Sequence, residues 1–550
     1  MKKYFAIVFA ALALVSCNKY LDMTPRDRVS AKTMWENTQN AEYSVNYLWT
    51  CIWDLNAEPT DMGLTEAITD ELKYTSYNYN KLCRISSEAA YGGQVLSNTY
   101  VDSYFGKWGQ LYTAIRQTNE GLNYLQTYGQ MSDGDKSRLR GELRFLRGYL
   151  YFELAKRYKD VILYDENLSS ISKDKAVSPE SQVWDFVYDD LKCAADSLPT
   201  QAAAGGRIDR GMAWGMMSRA MLYAERYDKV IEAAQAVAAL GYELEENYAD
   251  SYGKSLKDGN KEAILQYTFS YENGITHSFN FYYTPGGDYA VIDAKGGAYG
   301  VPTQEMVESY ELAAGGYPDW SPLHDSPVTC EDGLFYAQLE PRFHATILYN
   351  GSEWKDRTIE AYVGGTDGWA EWKTEVEPKG KTVTGYFLRK LVDENYDVKL
   401  SAGSQPFTFL RYGEVLLNAA EALYKTGNED GARQILKTIR GRVGLSEVTA
   451  SGAALWSAIR HERKIELAYE GLHYWDLRRW KDAEKDYPEG LSNYRLHGLR
   501  IENVSEGVSK YTYVEVDEST RTFPKKMYRF PMPESELNSN SLVTQYPEWN

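Results

Sequence analysis

Cysteine and histidine are scarce: five and six in 550 residues. Cys51, Cys83, Cys193 and Cys330 lie far apart after Cys17, with no CxxC, so the sequence supports neither a zinc site nor a disulfide scaffold. Any disulfide pair among those four is not singled out. The histidines, His277, His324, His344, His461, His473 and His497, include no two at metal-ligand spacing, and HExxH, GxSxG and P-loop motifs are missing. No cofactor and no metal are expected. Basic residues are outnumbered 60 to 78, a net charge of -18, which argues against a nucleic-acid partner. Beyond the first residues no apolar run is long enough to span a bilayer, and the mean hydropathy is -0.52. Phenylalanine is sparse, 16 against 46 Tyr and 14 Trp. Core volume needs rings but not hydroxyls, so this bias points to rings with one wet edge, suited to sugars, peptides or protein partners.

What is present begins with MKKYFAIVFAALALVSCNKY. Lys2 and Lys3 precede a short apolar stretch, and Ser16 precedes Cys17, the form of a secretory signal ending in a lipoprotein box. Residues 1–16 are read as the signal peptide and Cys17 as the lipid-attachment residue. Acyl chains there would tie a soluble body, 17–550, to a membrane.

In SRLRGELRFLRGYLYFELAKRY (137–158), Leu139, Leu143, Leu146, Leu150 and Leu154 recur at helical steps. Residues 180–198 and 207–240 continue in helical style, with Ala220, Tyr223, Ala233 and Val237 spaced for two close antiparallel helices. A second such unit has Ala420, Leu423, Gly427, Ala432 and Leu436 at tetratricopeptide spacing. Some 200 residues separate the two, so helix pairs interrupted by long insertions are expected. The body divides into an N-terminal half (17–240) and a second half (260–550). The latter contains a loop-rich insertion (270–404) and a helical block (405–480). KTVTGYF within the insertion reads as part of a hairpin.

ERKIELAYEGLHYWDLRRW (462–480) invites a metal or glycosidase reading, because Glu462, Glu466, Glu470, His473 and Asp476 recur every three or four residues. Helical phase argues otherwise. Gly471 interrupts the helix, and Glu462, Arg463 and Glu466 can pair with Arg460, Lys464, Arg478 and Arg479 nearby. A charged helix end, pinned by Trp475 and Trp480, is expected.

Several stretches together resemble the SusD/RagB-like family of outer-membrane nutrient-binding lipoproteins: CNKYLDMTP, RGELRFLRGYLYFELAKRYKDVIL, RYGEVLLNAAEALYKTGN, IRGRVGL, the 459–480 block, and FPMPESELNSNSLVTQYPEWN. The tail departs from the family pattern in having QYPEW. The resemblance implies a mostly α, SusD-like fold, a frame of tetratricopeptide-like helix pairs with loop and short-hairpin insertions carrying the ligand site. It also implies a non-catalytic, cell-surface role at the outer membrane. There a glycan is captured and delivered to a SusC-like TonB-dependent transporter. The ligand loops of the family follow the early acidic stretch (here TEAITDEL) and lie in the middle insertion. Candidate carbohydrate contacts are therefore Tyr77, Tyr79 and Asn80 in the first, and Tyr282, Tyr283, Tyr289, Trp320, Trp354, Trp369 and Trp372 in the second. Peptide capture of the RagB type, glycoside hydrolysis by a carboxylate pair, and a scaffold using helical grooves are the alternatives.

Overall fold

The computed structural model describes residues 30–55, 65–75, 97–170, 172, 174–201, 206–331, 333–371, 380–400, 402–517 and 519–550. Cys17 and Cys83 lie outside them; Cys193 and Cys330 are free thiols. The helices are α1 (Ala31–Trp35), α2 (Thr38–Leu55), α3 (Asn98–Phe105), α4 (Trp108–Tyr128), α5 (Asp133–Tyr158), α6 (Glu180–Ser197), α7 (Arg210–Tyr223), α8 (Tyr227–Ala239), α9 (Tyr412–Lys425), α10 (Glu429–Arg442), α11 (Gly452–Glu466) and α12 (His473–Arg479), besides shorter turns. The strands are short: β1 (Leu72–Tyr74), β2 (Ala263–Tyr267), β3 (Gly300–Pro302), β4 (Val328–Cys330), β5 (Ile347–Tyr349), β6 (Tyr386–Leu388), β7 (Phe407–Arg411), β8 (His497–Ser505) and β9 (Val508–Glu515), with a two-residue ladder at 353–358.

The leucine pattern of 137–158 lies within α5, and all five leucines are buried. Ser132 caps α5 by accepting from Asp135 N, acidic residues occupy its first turn, and Lys156 and Arg157 its last, as the helix dipole favours. Region 207–240 is two helices, with Ala220 and Ala233 fully buried. α5 packs on α6, α6 on α7 and α7 on α8. After the insertion the chain returns as α9, which packs on both α7 and α8 before α10 and α11 extend the stack. The two distant repeat units are thus neighbours in space. Gly427, at φ 84°, turns the chain between α9 and α10 in a conformation that side chains disfavour.

KTVTGYF makes no local hairpin. β6 pairs antiparallel with β5, almost 40 residues earlier in the chain. The long hairpin is instead β8–β9, extended by β4 into a three-stranded antiparallel sheet. β2 pairs with β7, carrying the start of the insertion to the start of α9.

The segment 462–480 is no solvated helix end. Glu462, Arg463, Glu466, Asp476 and Arg478 are all buried. Gly471 (φ 75°) does separate α11 from α12. Instead of the nearby arginines, Glu466 receives Arg342 (3.1 Å), Arg411 (2.7 Å) and Arg442. Glu462 receives Arg342 and Arg440, and Glu470 receives Arg411 and Lys390. Glu262, Glu311 and Glu340 close the cluster on Arg411, Arg440 and Arg342. Asp476, outside the expected pairs, takes both Arg479 and Arg463, the latter at 2.5 Å.

The tyrosine surplus is also largely internal. Tyr112 and Tyr151 each exchange hydrogen bonds with the backbone at Ile162 and Tyr164 respectively. Tyr248, Tyr252 and Tyr469 donate to the carbonyls of Glu466, Ala345 and Glu71. Long irregular segments carry backbone groups that no ladder satisfies, and a buried phenol supplies ring volume and a partner together.

Burial opposes ionisation of Glu466, but Arg442, Arg411 and Arg342 hold its pKa well below 4.5. Its contribution is therefore present above pH ~4.5 and lost as pH falls below it. Glu466→Gln leaves three guanidinium groups undercompensated and should cost about 3–5 kcal/mol in urea unfolding at pH 7. A loss under about 1 kcal/mol would refute that role. The difference from wild type should shrink on acidification.

Candidate functional site

Two segments singled out in the sequence meet at one small ladder. β1 pairs antiparallel with β3, Lys73 opposite Val301. Thr75 continues the contact: its N–H donates to Tyr299 O (3.0 Å) and its hydroxyl to Ala298 O (2.6 Å). The chain therefore enters the segment containing Tyr77, Tyr79 and Asn80 directly beside residues 298–300. Those three side chains lie outside the described residues, as does Trp372.

On the other side of β3, Tyr299 N donates to Tyr282 O and Ala298 N to Thr284 O, joining the short helix Phe279–Tyr283 to the ladder. The half-buried Tyr282 packs edge-on against Phe281 and Tyr299, with centroids 5.3 and 5.1 Å away. Val291 and Ile292, in the turn that follows, are exposed. Tyr282 is thus the described candidate that is half-buried rather than buried.

The remaining described candidates are buried. Tyr283 has no accessible surface and stacks on Phe279 at 4.4 Å. Tyr289 is buried and donates to Phe281 O. Trp354 is completely buried, its indole N–H donating to Asp288 at 3.0 Å. Trp320 is buried edge-on against Phe335, and Trp369 is buried with its N–H on Glu371. No pyranose can stack on a ring without an open face. Sequence composition cannot separate a ring that binds sugar from one that seals a loop, because both sit among glycines and prolines.

The sequence reading missed the polar frame beneath these rings. Asp288 receives Trp354, Lys355 and Arg357, and Arg357 also reaches Asp367, which accepts Gly287 N. Both carboxylates are committed to these partners rather than disposed across an open cleft. Among the described residues, no group of three or more His, Cys, Asp or Glu could hold a metal ion.

A second unforeseen feature is the clamp under β1. Lys464 donates to Asp70 at 2.7 Å, Gly471 N to Glu66 at 2.6 Å, and Tyr469 OH to Glu71 O. Lys73 pairs with Asp517, which Arg521 also holds. The 464–473 stretch thus grips the root of the first ligand loop. Burial alone would raise the Asp70 pKa, but Lys464 and His473 hold it well down. Glu71 goes the other way: burial first, then the neighbouring Glu66, raise its pKa well above 4.5.

Beside the ladder, a cavity of about 710 Å3 opens between Asp250, Lys254, His344 and the strap 389–395. Asn280 bonds Gln405 and the Asp393 N–H in its wall, so it shares a boundary with the Tyr282 helix. Its floor includes Leu391, Val392 and Pro406, and its rim carries both charge signs.

With that geometry in place, comparison decides the family. Residues 261–549, more than half of the chain, match the model described as the SusD family. The chain belongs to the SusD family. Residues 19–222 match a second model, described as starch-binding associating with outer membrane. A SusD-like protein of Bacteroides ovatus is 22% identical over 99% of this chain and 95% of its own length. The crystal structure of a SusD-like protein from Bacteroides fragilis superposes with a TM-score of 0.79 at 28% identity, covering 96% of this chain and all of the other. A SusD-like carbohydrate-binding protein of the same organism gives 0.73 at 23% identity, covering 93% and 100%. The mostly helical fold of this SusD-family chain agrees with these neighbours. No helix among the described residues is long and apolar enough to cross a membrane.

The raised Glu71 pKa has a testable sign. A carboxyl protonated in the fold loses stability as pH rises from about 4.5 toward its folded pKa, at up to about 1.4 kcal/mol per pH unit. Glu71→Gln mimics the neutral form. Thermal melts of both proteins from pH 5 to 9 should show the variant gaining on wild type as pH rises. A constant offset across that range would mean that Glu71 is ionised in the fold.

Proposed function

We propose that this protein is a cell-surface lipoprotein, anchored in the outer membrane through Cys17, that captures an oligo- or polysaccharide and passes it to a SusC-like TonB-dependent transporter. It acts by binding and does no chemistry on the glycan. The observation that carries the reading is the meeting of the two candidate ligand segments at β1 and β3, with the half-buried Tyr282 beside them. Membership of the SusD family supports it, as do the starch-binding description of residues 19–222 and the carbohydrate-binding neighbour. An aromatic face meets the slightly positive C–H bonds of a pyranose, while amide and charged groups take its hydroxyls in directional pairs. Tyr77, Tyr79, Asn80 and Trp372 are retained as contacts with Tyr282; the five buried rings are assigned to shaping the site.

Peptide capture is the second reading, and one observation favours it. The 710 Å3 cleft offers an apolar floor and charges of both signs without an open aromatic platform.

Calorimetry against a polysaccharide panel should find at least one ligand, and Tyr282→Ala should weaken it about tenfold, near 1.4 kcal/mol. Binding confined to peptides would replace the glycan reading, and release of shorter saccharides would replace the non-catalytic one. Labelled fatty acid should be incorporated into the wild-type protein and not into Cys17→Ala; an unacylated wild type would exclude the anchor.

A further inference from the structure

The groove between α4 and α5 serves neither the glycan surface nor the 710 Å3 cleft. Its cavity measures about 490 Å3, with Leu122 and Leu125 of α4 at its base. Lys136, Arg140 and Arg144 of α5 line it at steps of four, so all three project from one helical face. Arg144 is committed to Glu166 and Asp190, and its buried Nε alone lacks an acceptor. Lys136 and Arg140 have no carboxylate partner among the described residues. That is unusual on this helix: Arg138, between them, contacts Glu42, Asp135 and Glu142. Arg140 is exposed and Lys136 half-buried, Gln126 and Ser137 add neutral donors, and the exposed Asp133 also lines the groove without pairing with either cation. Two unpaired cations beside two neutral donors are the chemistry that receives an oxyanion. They place unpaired positive charge on a chain whose net charge is -18.

The place of the groove narrows the source of that oxyanion. It opens toward the end of the α4–α5 pair at which the chain enters the body. Gln130 N, just past α4, donates to Glu36 O, just past α1. Twelve residues, 18–29, separate Cys17 from Ser30. At most about 3.5 Å each, they reach roughly 40 Å. An acylated Cys17 therefore keeps this end of the body within roughly 40 Å of the lipid headgroups.

We propose that the Lys136–Arg140 groove binds phosphate-bearing headgroups of the membrane that holds Cys17, and so sets how the body sits on its surface. The inference rests on the anchoring part of the proposed function. Its test uses the mature chain, residues 17–550, carrying Cys17→Ala so that no acyl group contributes. This protein is co-floated with vesicles of phosphatidylcholine, alone or mixed with phosphatidylglycerol. It should bind the mixed vesicles preferentially, and added salt should weaken that binding. Lys136→Gln/Arg140→Gln should lower partition about tenfold or more with an unchanged melting temperature, as expected for two cations lost near an anionic leaflet. The charge-matched pair Lys257→Gln/Lys295→Gln, outside the groove, should leave it within about twofold of wild type. Equal flotation of the groove variant, or an equal loss in the charge-matched control, overturns the assignment. Saturable binding of inorganic phosphate without preference for anionic vesicles makes the groove a soluble-oxyanion site and equally overturns it. Because acylation at Cys17 is measured directly by fatty-acid labelling, the two readings fail independently.

Discussion

The fold turns on a buried lattice of carboxylates and guanidinium groups centred on Glu466 of α11. Six carboxylates (Glu262, Glu311, Glu340, Glu462, Glu466 and Glu470) meet five cations (Arg342, Lys390, Arg411, Arg440 and Arg442), all at the junction of helical stack and insertion. In so dry a place an unpaired ion is costly, so the lattice is favourable only when nearly complete. Completion requires α10, α11, β7, the start of β2 and the 311–342 and 390 segments to be present together. Non-specific burial would admit many packings of an insertion this irregular. A fixed set of bidentate partners admits few, which links the lattice to the register of the whole second half.

The same region explains the aromatic composition. Strands of three to five residues and long connections leave many carbonyls without ladder partners. Tyr248 and Tyr469 are completely or almost completely buried, yet their hydroxyls end on backbone oxygen. Trp354 does the equivalent through Asp288. The loops are therefore built on a stiff aromatic underlayer. Such a layer can hold Tyr282 and the adjoining ladder in a fixed attitude, which favours binding because less conformational freedom is then lost on capture.

The 462–480 stretch joins these two tasks. Its carboxylates Glu462 and Glu466 face the ionic lattice, while Lys464, Tyr469 and Gly471 hold residues 66–71, from which the first ligand loop departs. Alternation around α11 allows both, since neighbouring positions on a helix face different partners. A stretch that looks like a catalytic cluster is thus a positioning element at some remove from the ligand surface.

The sequence alone determined the helices from α5 to α11, the pairing of small and large residues between them, the break at Gly471 and the membership of the family. Each is written in local spacing, as in Leu139 to Leu154 or Ala432 to Leu436. It also named the two segments that meet at β1 and β3. Only the tertiary structure decided which rings within them are buried: Tyr282 and Tyr283 are adjacent and identical, yet Tyr283 stacks on Phe279 with no accessible surface while Tyr282 stays half-buried. It likewise decided that Glu466 pairs with Arg342 and Arg411, more than fifty residues away, in place of its helical neighbours. Periodicity reports which way a side chain faces. The partner waiting there is set by long-range closure of the chain, which spacing along the sequence does not encode.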